Sequence, residues 1–207
     1  MALPGGDAQL VQIMDAALAE AARRAGRWLV CREGCTLCCH GAFAINALDA
    51  KRLRAGMASL RATDPALAAS VEERARAWIA AYGPEYPGDP ETGMLGESEA
   101  DQEVFEDFCN DAPCPALDPA TGRCDVYAWR PMTCRVFGPP VRLGEGEALG
   151  CCELCFHGAT EAQIAACEMA VPHELEDRLL AELSEDEGRA GETVVAYALL
   201  ELIRRTA

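Results

Sequence analysis

The sequence predicts a mainly α fold, with helices at both ends around an irregular, cysteine-rich centre and little β. Three observations carry this. Apolar residues recur at helical spacing towards both termini. Glycine and proline punctuate residues 83–98 and again 109–157. Eleven of the twelve cysteines fall between positions 31 and 155. With 207 residues, 50% of them hydrophobic, the chain can bury a conventional core. It is expected to form one domain over 1–207: an N-terminal helix within 1–30, a cysteine-rich core over 31–157 with a helical insertion at 46–82, and C-terminal helices over 158–207.

The elements follow in order. Pro4-Gly5-Gly6 breaks the chain, and Asp7 is the expected N-cap of the first helix. Leu10, Val11, Ile13, Met14, Ala17, Leu18 and Ala21 make its apolar face. Arg23, Arg24 and Arg27 near its end suit the macrodipole. Trp28, Leu29 and Val30 deliver the chain to Cys31, and Gly34 permits a sharp turn. Asn46 with Asp49 forms a capping arrangement for a helix carrying Leu48, Leu53, Met57 and Leu60. Asp64-Pro65 opens another with Leu67, Val71, Ala75, Trp78 and Ile79, stopping at Gly83-Pro84. Residues 83–98 read as a long loop, either a lid or a disordered excursion. Ser98 and Asp101 cap a short acidic helix through Phe105 and Phe108. Asp118-Pro119 and Thr121-Gly122 mark a turn between Cys114 and Cys124. Leu143 to Glu147 could turn a small hairpin. Thr160 with Gln163 opens a helix through Ile164 and Met169, Pro172 another with Leu175, Leu179, Leu180 and Leu183. Glu192 begins a last helix with Val194, Val195, Leu199, Leu200 and Ile203.

The net charge of -16, from 34 acidic and 18 basic residues, repels phosphate backbones, so no nucleic-acid partner is expected. It equally disfavours an anionic membrane surface. No run approaches the ~18–20 apolar residues that span a bilayer, and the N-terminal stretch lacks a signal-peptide pattern. A cytoplasmic, reducing environment is therefore expected, in which thiols stay free or bind metal. Six disulfides are the alternative that the even count permits. The adjacent pairs Cys38-Cys39 and Cys151-Cys152 suit a metal cluster better.

The run Cys31-Arg-Glu-Gly-Cys35-Thr-Leu-Cys38-Cys39-His40 is answered downstream by Cys109, Cys114, Cys124, Cys134, Cys151, Cys152 and Cys155. Thiolates are soft donors that select zinc, iron–sulfur clusters or Cu(I). Adjacent cysteines seldom reach one tetrahedral ion together, so the first run is expected to share its site with sulfurs of the second. Cys109 and Cys155 are open as ligands, and Cys167, among apolar neighbours on a helix, is read as a core thiol. His40 and His157 are candidate ligands or solvated groups; His173 reads as surface. Arg130 and Arg135 either donate to thiolates or pair with acids. Tyr127, Trp129 and Phe137 read as packing around the site.

The spacing C-x3-C-x2-C-C, followed by CPALDPATGRCDVYAWRPMTCRVF, resembles the CxxCxxCC family of YkgJ-type zinc- or iron-chelating proteins. The resemblance covers about residues 31–155. It implies as ligands Cys31, Cys35, Cys38, Cys39, Cys114, Cys124 and Cys134, with a further one at Cys151 or Cys152. The first spacing is one residue longer than the family's name implies. The cofactor expected is an iron–sulfur cluster or iron, alternatively zinc. The Cys114-Pro115 pair, also found in some ferredoxin motifs, leans towards iron.

Two other functions compete. Cys31-x3-Cys35-x2-Cys38 has the spacing of the radical-SAM cluster motif, in which one iron stays open for S-adenosylmethionine. That fold needs strand–helix repeats after the motif, whereas residues 41–82 read as helix after helix, and Leu37 stands where an aromatic is common. Thiol redox chemistry through Cys35-x2-Cys38 or Cys152-x2-Cys155 lacks the strand–helix context of a thioredoxin. No Ser/His/Asp set, phosphate loop or H-E-x-x-H helix is present.

Overall fold

The computed structural model describes residues 2–142, 149–187 and 191–200. Helix α1 (Asp7–Ala25) buries Leu10, Met14, Ala21 and Ala25 along one stripe. Its N-cap is Gly6, with no side-chain cap. Asp7, expected as the cap, instead lies in the first turn, buried, and takes the Arg52 guanidinium at 2.5 Å. An ion pair with a buried cation outbids a single capping hydrogen bond, because an unpaired buried guanidinium would cost several kcal/mol.

Asn46 caps α2 (Ala47–Thr63), its side chain accepting from the Asp49 amide at 2.9 Å. Asp64 ends α2 and caps α3 (Pro65–Tyr82), accepting from the Leu67 amide at 3.0 Å. Leu53 and Met57 of α2 and Val71 and Ala75 of α3 meet in one apolar cluster. Val195, Ala198 and Leu199 of a short C-terminal helix (Val195–Leu199) complete it. The cysteine-rich segment joins the same cluster through Ala116 and Val126, with Cys114 and Cys124 packed against it.

Residues 83–98, expected as a lid or a disordered excursion, are a packed arm. A 3₁₀ turn at Gly83–Glu85 leads to β1 (Gly88–Asp89), paired antiparallel with β2 (Met94–Leu95). The buried Tyr86 ring lies 4.9 Å from that of Tyr197. The two hydroxyls donate to the Gly93 and Pro90 carbonyls, at 2.8 and 3.0 Å. Thr193 adds a bond to the Gly93 carbonyl at 2.6 Å. Two rings bury enough area to hold a glycine-rich arm that has no periodicity of its own. A capping box of Ser98 and Asp101 then opens α4 (Glu99–Asp107), as expected.

The centre carries α5 (Met132–Val136), the pair β3 (Val141–Arg142) and β4 (Leu149–Gly150), and α6 (Glu161–Ala165). The turn expected at Leu143 to Glu147 lies outside the described residues. The α6 helix stops short of Met169, whose amide donates to the Pro140 carbonyl at 2.8 Å. Helix α7 (His173–Glu187) packs Leu179 and Leu183 against Leu10, Met14 and Leu48. The last helix, α8, is the Val195–Leu199 segment; Ile203 lies outside the described residues. The described fold is mainly α, with two small two-stranded sheets. Helices, not strand–helix repeats, follow the first cysteine run. No described helix is long and apolar enough to cross a membrane.

Candidate metal centre

The second cysteine segment is a tight loop built by local polar bonds. The Asp118 carboxylate accepts from the Ala120 amide and the Thr121 hydroxyl, at 3.0 and 2.5 Å. Gly122 takes φ +69, a conformation that glycine tolerates and most residues do not. The loop's two sides meet where Leu117 bridges Cys124. From α3, Arg74 clamps both sides, donating to the Pro115 carbonyl at 2.9 Å and pairing with Asp125 at 2.5 Å. The Leu117 amide closes a turn on the Cys114 carbonyl at 2.9 Å, and the Tyr127 amide one on the Cys124 carbonyl at 3.2 Å; backbone amides just past each cysteine pull its pKa down against the upward push of burial. Amide dipoles so placed favour the thiolate, the form that ligates metal.

Cys134 arrives on α5, which is fixed from two sides. The Met132 amide donates to both Asp49 oxygens, at 3.0 and 3.1 Å, and Asp49 in turn is paired with Arg52. Arg135, 1% exposed, donates to the Ala128 carbonyl at 2.6 Å and to Asp15 at 2.7 Å. Arg130 lies 3.9 Å over the Tyr127 ring and also reaches Asp15. Of the two readings of these arginines, pairing with an acid is the one observed. Tyr127 and Phe137, expected to pack around the site, are 61% and 42% exposed. Arg130 covers one face of Tyr127 and leaves the rest in water.

The first segment docks onto this platform by its backbone. The Cys114 amide donates to the Cys39 carbonyl at 2.8 Å, His40 bridges Pro113, and the Gly41 amide donates to the Ala112 carbonyl at 2.8 Å. The loop tips abut: a Cβ on Gly122 would stand 3.3 Å from the Thr36 methyl. Glu33 pairs with Arg123 across them at 2.5 Å. Gly34, at φ +84, makes the turn expected of it. His40 Nδ1 faces the Thr36 carbonyl at 3.0 Å. At the other edge, the Phe156 amide donates to the Trp28 carbonyl at 2.9 Å, laying residues 152–156 beside the approach to Cys31.

All twelve cysteines are free thiols in this structure. Among the described residues, no three Cys, His, Asp or Glu groups form a ready-made cage for an ion. The thiols nevertheless perturb one another. Burial pushes Cys134 well up, and Cys114, Cys124 and Cys38 add to it. Burial likewise pushes Cys114 up to about 12. Cys38 is raised first by its hydrogen bond to Cys39 and then by burial. Towards the outer edge, burial raises Cys31 to about 11, with Cys35, Cys38, Cys155 and Cys152 contributing. Neighbouring sulfurs disfavour several thiolates at once, and a bound cation inverts that sign. The donors are soft and partly buried, a chemistry that suits zinc or iron.

Of the expected ligands, Cys38 and Cys39 lie on a 3₁₀ turn whose Cys39 carbonyl accepts from the Cys114 amide, Cys114 and Cys124 lie on the loop that Arg74 clamps, and Cys134 comes from α5. Cys31 and Cys35 lie on the first loop, and Cys152 on the segment beside the approach to Cys31. Cys151 is exposed, and Cys155 is the sulfur that acts on it. Cys155, left open by the sequence, is buried in an apolar cluster with Ala25, Phe156 and Cys167. Cys109 stands at φ +57 with Glu85 as its charged neighbour. Cys167 is a core thiol beside Ala25 and Phe156, as expected. His157 is exposed.

The family model for CxxCxxCC, described as "Putative zinc- or iron-chelating domain", matches residues 30–155. Neither the curated proteins nor the solved structures contain a match to the chain.

Proposed function

The chain belongs to the CxxCxxCC family of zinc- or iron-chelating domains, and on that premise we propose that it chelates iron or zinc through Cys38, Cys114, Cys124 and Cys134, with Cys39 alongside. The observation that carries this is the docking of one cysteine run on the other: the Cys114 amide on the Cys39 carbonyl, the His40 bridge to Pro113 and the Gly41 amide on the Ala112 carbonyl. The sulfurs come from loops far apart in sequence, so metal binding would contribute to folding of the centre. Zinc would supply a structural knot without redox chemistry. Iron, alone or as an iron–sulfur cluster, would supply an electron-transfer or Lewis-acid centre. In both cases the chain's own part is the same. Arg74 holds the Cys114–Cys124 loop, and Asp49 and Asp15 hold α5 through the Met132 amide and Arg135.

Metal analysis and visible absorption after anaerobic purification test the proposal. Brown protein containing iron and sulfide is expected if the centre is a cluster, and colourless protein holding stoichiometric zinc if it is structural. Folded, metal-free protein that takes up neither metal and cycles between dithiol and disulfide would overturn it in favour of thiol redox chemistry.

A further inference from the structure

Past the end of α1 the chain makes a 3₁₀ turn over Gly26–Trp28 before it reaches Val30 and Cys31. The segment from Leu154 to His157 lies beside it, joined by the Phe156 amide on the Trp28 carbonyl at 2.9 Å. Between the two is an open bowl of about 420 Å³, lined by Arg27, Trp28, Val30, Leu154, Phe156 and His157. That volume suits a small organic ligand. The floor is fixed: Phe156 is buried with Ala25, Cys155 and Cys167, and Trp28 packs against them. The Phe156 backbone takes φ +60, which a bulky residue rarely adopts. Such strain persists only where the surroundings impose it, and binding sites are a common place for it. Val30 and Leu154, by contrast, are exposed apolar side chains on the rim.

The charge of the bowl runs against that of the chain. There are 34 acidic residues against 18 basic ones, yet among the described residues no carboxylate lines the bowl. Elsewhere the acids take up the arginines: Arg23, Arg61, Arg74, Arg76 and Arg123 each pair with a carboxylate at 2.5–2.8 Å. Arg27 has no such partner among the described residues, and its guanidinium lies 4.5 Å over the Trp28 ring. Stacking on an aromatic face steadies the cation and leaves the N–H groups at its edge to meet an anion. The exposed His157 adds a ring nitrogen to the same lining. The carbonyl end of α1 lies just before Arg27 in the chain, and the protein as a whole is acidic. Both favour a ligand with one negative charge over one with two.

We propose that this bowl is a binding site for a small organic carboxylate with an apolar body. Arg27 and His157 hold the carboxylate by charge-assisted hydrogen bonds. The Trp28 and Phe156 rings, with Val30 and Leu154, cover the body and are themselves removed from water by it. The site goes beyond metal chelation and uses no sulfur, so it stands or falls apart from the metal centre.

The test is calorimetric titration of the full chain, as purified, with 1-naphthoate. Saturable binding of one molecule per chain is expected. 1-Naphthamide, the same body without the charge, and 1-naphthyl phosphate, with a second charge, are both expected to bind more weakly. Arg27→Gln should weaken naphthoate about tenfold or more and leave naphthamide unchanged. Leu154→Glu, which sets a carboxylate on the rim, should also weaken naphthoate. Arg23→Gln, at an exposed arginine outside the bowl, should not. Circular dichroism and metal content are measured for each variant, because a carboxylate can also ligate a metal. Absence of saturable binding, or equal affinity for naphthamide, would overturn the site. So would unchanged affinity in Arg27→Gln, or affinity that follows metal content instead of Arg27. Tighter binding of the phosphate than of naphthoate would overturn the carboxylate assignment.

Discussion

The helical scaffold and the cysteine centre are stabilised in different ways. In α2, α3 and α8 the decisive residues are apolar and sealed: Leu53, Met57, Val71 and Leu199 are all 0% exposed. Each removes its side chain from water, and the helices need no further fastening. The centre has little of this. Its chain direction is set by individual polar bonds, from Arg74 to the Cys114–Cys124 loop, from the Met132 amide of α5 to Asp49, and from Arg135 of α5 to the Ala128 carbonyl and Asp15. Burial holds its inner thiols in the protonated form. A region fastened by apolar burial thus carries a region fastened by single polar bonds.

The largest effect is expected from breaking the scaffold. Leu53→Ala should cost about 2–5 kcal/mol in denaturant unfolding, equally with and without metal. If the cost vanished on adding chelator, the scaffold would not be self-sufficient. Cys114→Ser probes the other side. With metal at a hundredfold its dissociation constant, wild-type protein gains about 2.7 kcal/mol that the variant lacks. In chelator the two should melt together. A variant destabilised as much in chelator as in metal would mean that Cys114 acts only by packing.

The pH dependence should sharpen the contrast. In the metal-free protein, burial holds Cys114 at about 12, whereas an unfolded thiol ionises near ~8.5. Above that pH the native state binds more protons than the unfolded one. Stability then falls as pH rises, by about 1.4 kcal/mol per unit for each such thiol, and has its full value below it. The loaded protein should show the opposite slope, losing stability on acidification as protons displace metal. Thermal melts across that range, with and without zinc, check both signs; parallel curves would contradict them. The smallest effect is expected at the loop tips. Arg123 and Glu33 are 64% and 71% exposed as side chains, so Arg123→Ala should change stability by no more than about 0.5 kcal/mol.

Much of the scaffold could be read from single residues. Asn46, Asp64, Ser98 and Thr160 all cap the helices assigned to them, because a capping side chain acts on amides within its own turn. The packed arm at 83–98 could not be read in this way. Tyr86 is held there by Tyr197, more than a hundred positions away, and no local pattern announces that meeting. Asp7 was misjudged for the same reason, its partner Arg52 lying on another helix. At the site, cysteine spacing identified a sulfur-rich centre and its two segments. It could not tell which backbones of the two segments dock, Cys39 on Cys114 and Trp28 on Phe156, and it left Cys155 open.

The sequence by itself determined the helix boundaries near caps and prolines, the acidic surface, and the presence of two cysteine-bearing loops. Those properties depend on residues within a turn of one another, or on composition alone. Only the tertiary structure decided that Arg130 and Arg135 serve Asp15 rather than sulfur, and that the first cysteine loop docks by Cys39 on Cys114 while residues 152–156 dock beside Trp28. Such choices are made by long-range hydrogen bonds, Cys114 to Cys39 and Phe156 to Trp28, whose partners are backbone groups common to every residue and so leave no mark in the sequence.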